Sequence, residues 1–136
     1  MNRIFAYGTL MNMEFLERRW GIKPVKAMEG AVRGRLYRAG WFPILIEDES
    51  EGSLVYGKVI EIFNLEEVIA SIDRYEGCDN MDPNSLYFRK EKAVILNDGS
   101  RVKAWVYVGN PKNPIVKKYC TPKNLIKNGR WEPSTL

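Results

Sequence analysis

Glu76 is the residue whose type and position most clearly suggest chemistry. It ends a predicted helix, Leu65–Glu76, whose apolar residues recur at helical spacing on one stripe: Leu65, Val68, Ile69 and Ile72. Glu76 follows Ile72 by one turn and continues that stripe, so its carboxyl is expected to face the core or a pocket. Burial and the negative end of the helix dipole would both raise its pKa. A carboxyl with a raised pKa can take and return a proton near neutral pH.

A second interpretation places Glu76 in solvent at a frayed helix end. Spacing alone favours this interpretation, because glutamate is rarely fully buried. Asp73 and Arg74 are expected to be surface residues of the same turn. The sequence contains no histidine, which excludes Ser-His-Asp and Cys-His catalysis and removes the commonest metal ligand. Proton transfer near neutral pH must then use a carboxylate, Lys, Tyr, Cys or water, and Glu76 is the leading acid–base candidate.

The turn Tyr7-Gly8-Thr9-Leu10 is the second candidate feature. Gly8 follows a predicted strand, where a glycine lets the backbone turn sharply and approach a ligand closely. The next residues lead into a predicted helix, whose free N–H groups favour an anion such as a carboxylate. This pattern is weak by itself. It is not a P-loop, because the glycine spacing and the Lys-Ser/Thr pair are missing.

Other reactive side chains have simpler interpretations. Cys78 follows Glu76 closely but has no evident base partner, so an inert thiol is expected rather than a nucleophile. A disulfide between Cys78 and Cys120 is not expected in a reducing compartment. A cluster of carboxylates has the oxygen ligands that calcium or magnesium prefers, but its spacing fits no recognised loop and a solvated turn is expected. The cluster comprises Glu47, Asp48, Glu49 and Glu51.

The elements that must position these residues are mostly strands. Between turns marked by glycine, the predicted strands are Arg3–Tyr7, Ala31–Arg38, Phe42–Ile46, Leu54–Phe63, Tyr87–Leu96 and Arg101–Val108. Asp98-Gly99 between the last two predicts a hairpin. The predicted helices are Met13–Trp20, capped by Asn12 and ended by Gly21, and Leu65–Glu76, ended by Gly77. Asn64 is the expected N-cap of the second helix, with Glu67 completing a capping box. Six strands and two helices favour a small barrel or curled sheet.

The C-terminal segment differs in charge from the rest. Residues 109–136 hold one acid, Glu132, against six basic side chains: Lys112, Lys117, Lys118, Lys123, Lys127 and Arg130. A solvated tail is expected. A nucleic-acid surface is the sharper alternative, but Tyr119 and Trp131 are the segment's only aromatic residues. Four prolines suggest a tail that wraps the surface, with one helical turn near Lys123–Lys127: Pro111, Pro114, Pro122 and Pro133.

Composition fits one globular domain. The chain has 136 residues, of which 45% are hydrophobic and 28% charged, values that are typical of a soluble domain with a modest core. We expect a domain over residues 1–109 and the basic tail, residues 110–136, packed on it. No apolar run approaches the ~20 residues that a membrane-spanning helix needs. The N-terminus lacks the apolar region of a signal peptide, so we expect a cytoplasmic protein that does not bind membranes.

Several segments carry a family resemblance when taken in order. They are Phe5-Ala6-Tyr7-Gly8-Thr9-Leu10, Gly34-Arg35-Leu36-Tyr37 with Phe42-Pro43, Gly57-Lys58-Val59, Ile72-Asp73-Arg74-Tyr75-Glu76-Gly77, Tyr87-Phe88-Arg89 and Ala104-Trp105-Val106-Tyr107-Val108. Together these segments resemble the gamma-glutamylcyclotransferase-like family, which includes the gamma-glutamylamine cyclotransferases. The resemblance covers about residues 3–109 and rests on the order and spacing of the segments.

The resemblance implies an α+β fold, a small mixed β-barrel with two flanking helices. It also implies a transferase or lyase reaction in which a gamma-glutamyl amide cyclises to 5-oxoproline and frees an amine, without cofactor or metal. Glu76 would be the catalytic proton shuttle, because the attacking amine belongs to the substrate. The backbone of Gly8, Thr9 and Leu10 would bind the α-carboxylate or the oxyanion. Tyr7, Tyr87 and Tyr107 would complete the substrate site.

Two features depart from the family pattern. The loop Cys78–Leu86 is longer than expected and would lie near the pocket mouth as a lid or an ornament, and the basic tail lies outside the resemblance. Two alternatives stay open: a non-catalytic protein that binds a small carboxylate in the same pocket, and nucleic-acid binding through the tail. We expect a small-molecule gamma-glutamyl partner, no nucleic acid, and a monomer or weak homodimer.

Overall fold

The computed structural model describes residues 1–50 and 52–132, without the side chain of Thr9. The described residues form seven strands: β1 Arg3–Ala6, β2 Pro24–Arg33, β3 Arg35–Ala39, β4 Phe42–Ile46, β5 Leu54–Ile62, β6 Tyr87–Leu96 and β7 Arg101–Gly109. They also form three α-helices: α1 Met13–Trp20, α2 Leu65–Glu76 and α3 Pro114–Tyr119. Two 3-10 turns lie at Thr9–Met11 and Pro122–Asn124.

Five strands close into a barrel in the order β1-β5-β2-β6-β7. Neighbouring strands are antiparallel except at the closure, where β1 and β7 pair in parallel through Ile4 and Trp105. Strands β3 and β4 form a separate hairpin beside it. The predicted α+β fold with a small mixed barrel is therefore confirmed.

One predicted strand is wrong in its bounds. The run Ala31–Arg38 divides at Gly34, because β2 pairs with β5 whereas β3 pairs with β4. Strand β2 begins at Pro24, in a segment whose exposed polar residues, such as Lys26 and Glu29, obscured the strand pattern. The sequence thus predicted only the end of β2, and the strand count rises from six to seven.

Alternation along the strands divides the core into two clusters. On β1, Ile4 packs with Ile60 and Ile72 in one cluster, while its neighbour Phe5 packs in the other. Successive side chains of a strand point to opposite faces. On β7, Val106 and Val108 join the cluster of Phe5, whereas Tyr107 lies between them in the cluster of Ile72. Tyr107 therefore points to the side of the barrel wall that α2 covers.

Both predicted helices have the expected bounds. Asn12 caps α1, where its Oδ1 accepts from the Phe15 N–H at 3.1 Å, and Gly21 ends the helix in the left-handed region. The predicted capping box of α2 is wrong. The Asn64 side chain makes no bond to its own helix; it accepts from the Lys23 N–H at 2.8 Å and donates to the Gly21 carbonyl. Asn64 thereby links the start of α2 to the end of α1.

The C-terminal segment packs on the barrel. Helix α3 was not predicted, although Asn113 caps it with a side chain that accepts from the Ile115 N–H at 2.8 Å. The expected helical turn near Lys123–Lys127 lies earlier, as the 3-10 turn over Pro122–Asn124. Further on, the Gly129 carbonyl accepts from the Tyr56 N–H at 2.9 Å. Pro133 and the residues after it lie outside the described part.

None of the helices in the described part of the chain has the length and hydrophobicity that crossing a membrane requires.

Candidate active site

A cavity of about 230 Å³ lies where β1, the β3–β4 hairpin and the C-terminal end of α2 meet. Its lining is mostly apolar and aromatic. The described residues that line it are Phe5, Ala6, Tyr7, Gly8, Leu10, Trp41, Phe42, Pro43, Tyr75, Glu76, Leu86, Tyr87 and Tyr107. Six of the seven residues selected from the sequence are among them. The seventh is Thr9, whose side chain lies outside the described part.

The carboxyl of Glu76 faces this cavity from the last residue of α2. The helix end is ordered: Gly77 takes a left-handed conformation, and the Cys78 N–H donates to the Asp73 carbonyl at 2.8 Å, which closes a Schellman-type cap. The predicted apolar stripe is present, since Leu65 and Ile72 are both buried. Glu76 is partly buried, and its carboxyl has no hydrogen bond or ion pair with the described residues.

Burial raises the pKa of Glu76 from its ordinary value of 4.5 to about 7. The cause is desolvation, because removing a carboxylate from water without a compensating partner disfavours the charged form. At neutral pH the carboxyl is thus poised between its two protonation states. Such a group can accept a proton in one step and return it in the next.

The predicted turn at Tyr7–Leu10 forms one wall of the cavity. The Met11 N–H donates to the Gly8 carbonyl at 3.0 Å and closes a 3-10 turn. The first N–H groups of such a turn have no acceptor within it. Gly8 is needed for close packing, not for an unusual φ: a Cβ there would lie 2.8 Å from Cγ of Pro43. The glycine therefore lets the Pro43 ring of β4 pack closely against the turn.

Three tyrosines line the inner part of the cavity with their hydroxyls already engaged. The Tyr7 hydroxyl donates to the Tyr107 carbonyl, and the Tyr87 hydroxyl donates to the Pro43 carbonyl at 2.5 Å. The Tyr107 hydroxyl donates to Oδ1 of Asp73 at 2.6 Å. Burial raises the pKa of all three phenols far above neutral. These three tyrosines are thus neutral at physiological pH, whereas burial brings the pKa of Glu76 to about 7.

Asp73 joins α2 to the strands beside the cavity, which its position in the sequence did not indicate. Its side chain is only 20% exposed, and Oδ1 also accepts from Nε of Arg89 at 2.8 Å. The prediction that Asp73 is an ordinary surface residue is wrong, because β6 and β7 bring Arg89 and Tyr107 against this face of α2. The Arg89 guanidinium also stacks 4.3 Å from the Trp105 ring centre. Arg74 is exposed, as expected.

The thiols and the acidic cluster do not belong to the cavity. Cys78 is buried, and burial raises the pKa of its thiol to about 11, which opposes nucleophilic use. The carboxylates of the cluster face basic side chains: Glu47 contacts Lys90 and Lys92 at 2.7 Å each, and Asp48 contacts Arg35 at 2.6 Å. Glu51 lies outside the described residues. Among the residues that the structure describes, no three potential metal ligands converge.

The long loop Cys78–Leu86 is tied to the barrel at several points. Asn80 receives a hydrogen bond from the Arg89 N–H at 2.9 Å and donates to the Arg89 carbonyl at 3.0 Å. Asn110 donates to the carbonyls of Pro83 and Ser85. Leu86, at the end of the loop, lines the cavity. The loop therefore supports one wall of the cavity through fixed contacts.

Comparison with known proteins agrees with this architecture. The family model described as gamma-glutamyl cyclotransferase, AIG2-like, matches residues 4–133 and so extends through most of the basic tail. A mouse AIG2-like protein superposes with a TM-score of 0.67 at 22% identity, covering 100% of this chain and 98% of that one. A protein of Arabidopsis thaliana gives 0.64 at 19% identity, covering 83% and 72%.

A yeast gamma glutamyl cyclotransferase specific to glutathione gives a TM-score of 0.60 at 14% identity, covering 88% of this chain and 72% of that one. At these identities the solved structures establish a shared fold. No curated protein matches the sequence.

Proposed function

Because the chain belongs to the gamma-glutamyl cyclotransferase, AIG2-like family, we propose that it cyclises a gamma-glutamyl amide to 5-oxoproline and releases the free amine. One observation carries the proposal: a carboxyl with a pKa of about 7, that of Glu76, lies in a cavity whose other described lining residues carry no charge. Intramolecular cyclisation requires a bent substrate and a group that moves protons, and it requires no nucleophile from the protein.

The reaction begins with the substrate's α-ammonium group beside the Glu76 carboxylate. The carboxylate takes one proton, and the resulting amine attacks the side-chain carbonyl carbon to form the ring C–N bond. Glu76 then passes its proton to the leaving nitrogen, and the bond between that nitrogen and the carbonyl carbon breaks. The ring nitrogen loses a second proton, which ends on the departing amine. The two protons of the α-ammonium thus leave with the amine, and the substrate is neither oxidised nor reduced.

The turn at Gly8 is proposed to hold the negative end of the substrate. The N–H groups of Thr9 and Leu10 are the first of the 3-10 turn, so they are available to the α-carboxylate or to the oxyanion on the attacked carbonyl. Gly8 and Leu10 line the same cavity as Glu76. This arrangement separates the site into an end that binds negative charge and an end that moves protons.

The three tyrosines are proposed to shape the inner wall. Their hydroxyl protons are donated to protein acceptors, so each phenol oxygen presents lone pairs to the substrate. Acceptors of this kind suit the N–H groups of the α-ammonium. Fixed aromatic walls also limit the conformations of the glutamyl chain and favour the bent one, which lowers the entropic barrier to ring closure.

Turnover of a panel of gamma-glutamyl amides tests the proposal. Purified protein would be incubated with gamma-glutamyl amines, amino acids and peptides, and 5-oxoproline and free amine would be quantified by mass spectrometry. We expect equimolar release of the two products from at least one class. Saturable binding of the panel without any 5-oxoproline would instead identify a non-catalytic protein that binds small carboxylates.

A further inference from the structure

Trp41 is the most unusual residue of the cavity lining, because 84% of its surface is exposed. It occupies the second position of the two-residue turn between β3 and β4, after Gly40, whose φ is +65°. A glycine with positive φ at the first position is typical of a type II′ hairpin turn. The turn therefore holds the indole out at the cavity mouth. Its ring centre lies 5.4 Å from that of Phe42, which also lines the cavity.

Tyr75 is a second exposed aromatic side chain of the lining. Its surface is 45% exposed, yet its ring is held by two aromatic rings of α1. The centre of its ring lies 5.3 Å from that of Trp20 and 5.7 Å from that of Phe15. Tyr75 and Glu76 are adjacent in sequence, and both line the cavity, so an aromatic surface borders the reacting end. Large aromatic side chains left open beside a cavity are typical of a binding surface.

The charges of the lining restrict what can bind there. Glu76 is the one charged residue among the described residues that line the cavity, and no lysine or arginine is present among them. Two arginines of the strands are engaged elsewhere: Arg89 of β6 with Asp73, and Arg38 of β3 with the Glu132 carbonyl and the Trp131 ring. A carboxylate on the leaving group would therefore lose water in this cavity without gaining a cation from the lining.

We infer that Trp41 and Tyr75 form the subsite for the leaving amine, and that this amine is aromatic and carries no carboxylate. The inference rests on the proposed function, because it identifies the half of the amide that departs. The backbone turn at Gly8 accounts for the one carboxylate of the glutamyl group. An aromatic amine would cover the exposed indole and need no counter-ion, whereas an amino acid or peptide would bring a second carboxylate to an uncharged wall.

Four gamma-glutamyl amides that differ only in the leaving amine test the subsite. Gamma-glutamyl-2-phenylethylamide has the ring without a carboxylate, and gamma-glutamylphenylalanine adds only the carboxylate. Gamma-glutamylmethylamide lacks the ring, and gamma-glutamyl-4-aminobutylamide carries a terminal ammonium. We expect kcat/KM for the phenylethylamide to exceed that for each of the other three by about tenfold or more.

Trp41→Ala supplies the variant, and Met81→Ala supplies the matched control. Met81 is 90% exposed and lies on the loop Cys78–Leu86, outside the cavity lining. Trp41→Ala should lower kcat/KM for the phenylethylamide about tenfold, mainly through KM, and lower that for the methylamide much less. Met81→Ala should leave the order and size of all four values unchanged. The far-ultraviolet circular-dichroism spectrum and the unfolding midpoint of each variant report whether it folds.

Failure of the inference is distinguishable from failure of the proposed function. Three results would overturn the aromatic subsite and leave the reaction intact. They are turnover of the four amides at similar rates, a higher kcat/KM for the phenylalanine or aminobutyl compound, and an equal loss of kcat/KM for all four amides in Trp41→Ala. If no amide of these four or of the wider panel is turned over, the proposed reaction is wrong. Kd values measured by calorimetry for the same four amides then test the subsite independently. Tighter binding of the phenylethylamide, lost in Trp41→Ala, would support the subsite, and equal Kd values would overturn it.

Discussion

The hydroxyl of Tyr107 donates a hydrogen bond to Oδ1 of Asp73 at 2.6 Å, and this bond joins the barrel wall to the helix that carries Glu76. Asp73 lies one turn before Glu76, and the same oxygen accepts from Arg89 at 2.8 Å. Two strands are thereby fixed to α2 immediately beside the cavity. Asp73 is a positioning residue: it touches the wall of the cavity without lining it.

Asp73→Asn should weaken the contact between α2 and the two strands while preserving the shape of the side chain. The amide keeps one acceptor oxygen but loses the charge that pairs with Arg89, so we expect a loss of about 1–3 kcal/mol in the free energy of unfolding. A fall in kcat that is smaller than the fall caused by Glu76→Gln would mark a positioning role for Asp73. Urea unfolding and steady-state kinetics measure both effects.

Glu91→Gln is the control for that substitution, because Glu91 is an exposed carboxylate on β6. It should change neither stability nor rate appreciably. If Asp73→Asn behaves as Glu91→Gln does, Asp73 does not hold the wall.

The rate of the proposed reaction should depend on pH through Glu76. The carboxylate must be deprotonated to accept a proton from the substrate, and its pKa is about 7. We therefore expect kcat/KM to rise between pH 6 and pH 8 with an apparent midpoint of about 7. A profile measured with a substrate of known amine pKa checks this. A rising limb centred near 4.5, or a rate independent of pH over this range, would contradict the role.

Glu76 should also destabilise the folded protein at alkaline pH. Its folded pKa lies above the ordinary value of 4.5, so the native state binds more protons than the unfolded state between pH 4.5 and about 7. Stability contributed by this group therefore falls as pH rises through that window. The full shift corresponds to about 3 kcal/mol, and solvent access at this partly buried site reduces the expected effect to about 1–2 kcal/mol.

Glu76→Gln should accordingly raise the unfolding free energy at pH 8 and leave it nearly unchanged at pH 4.5. Chemical denaturation of both proteins at the two pH values measures the difference. A variant that is less stable than the parent protein at pH 8 would show that the carboxylate is not desolvated in the native state.

Gly8→Ala should disturb the wall through Pro43. The new Cβ would lie 2.8 Å from Cγ of Pro43, whose carbonyl accepts the hydroxyl of Tyr87. We expect a loss of about 1–3 kcal/mol in stability and a raised KM, because the turn and β4 must separate. Kinetics and unfolding midpoints measure these effects.

A double-mutant cycle with Pro43→Ala isolates the cause, because that substitution removes the contacting Cγ. Gly8→Ala should cost less in the Pro43→Ala background than in the parent protein. Strict additivity of the two substitutions would mean that the contact with Pro43 is not the reason for the glycine.

Local signals in the sequence predicted the elements that carry the site. The bounds of α1 and α2 follow from Asn12 and the two terminating glycines. Those of β4 follow from a compact apolar run, and the end of β6 follows from the Asp98-Gly99 turn. The start of β2 was missed because its pairing with β5, and not its own composition, makes it a strand. Cap geometry at Asn64 likewise depends on the end of α1, which is distant in sequence.

A residue of the site could be predicted from the sequence where its own place in a helix or turn indicated its surroundings. The spacing of Glu76 on α2 suggested a buried carboxyl, and its place in the cavity agrees with that interpretation, while its catalytic role stays a prediction. Asp73 was missed because its partners Arg89 and Tyr107 reach it only through the register of β6 and β7. Trp41 carried no periodic signal, since it lies in a two-residue turn whose orientation the barrel determines.

The most direct test of the account is the release of 5-oxoproline by Glu76→Gln, compared with Glu67→Gln on the exposed first turn of the same helix. The amide keeps the shape of the side chain but cannot exchange a proton. We expect the Glu76 variant to lose about 10²- to 10⁴-fold in kcat while binding an unreactive substrate analogue with a similar Kd, and the Glu67 variant to match the parent protein. Full activity in Glu76→Gln would contradict the proposed mechanism.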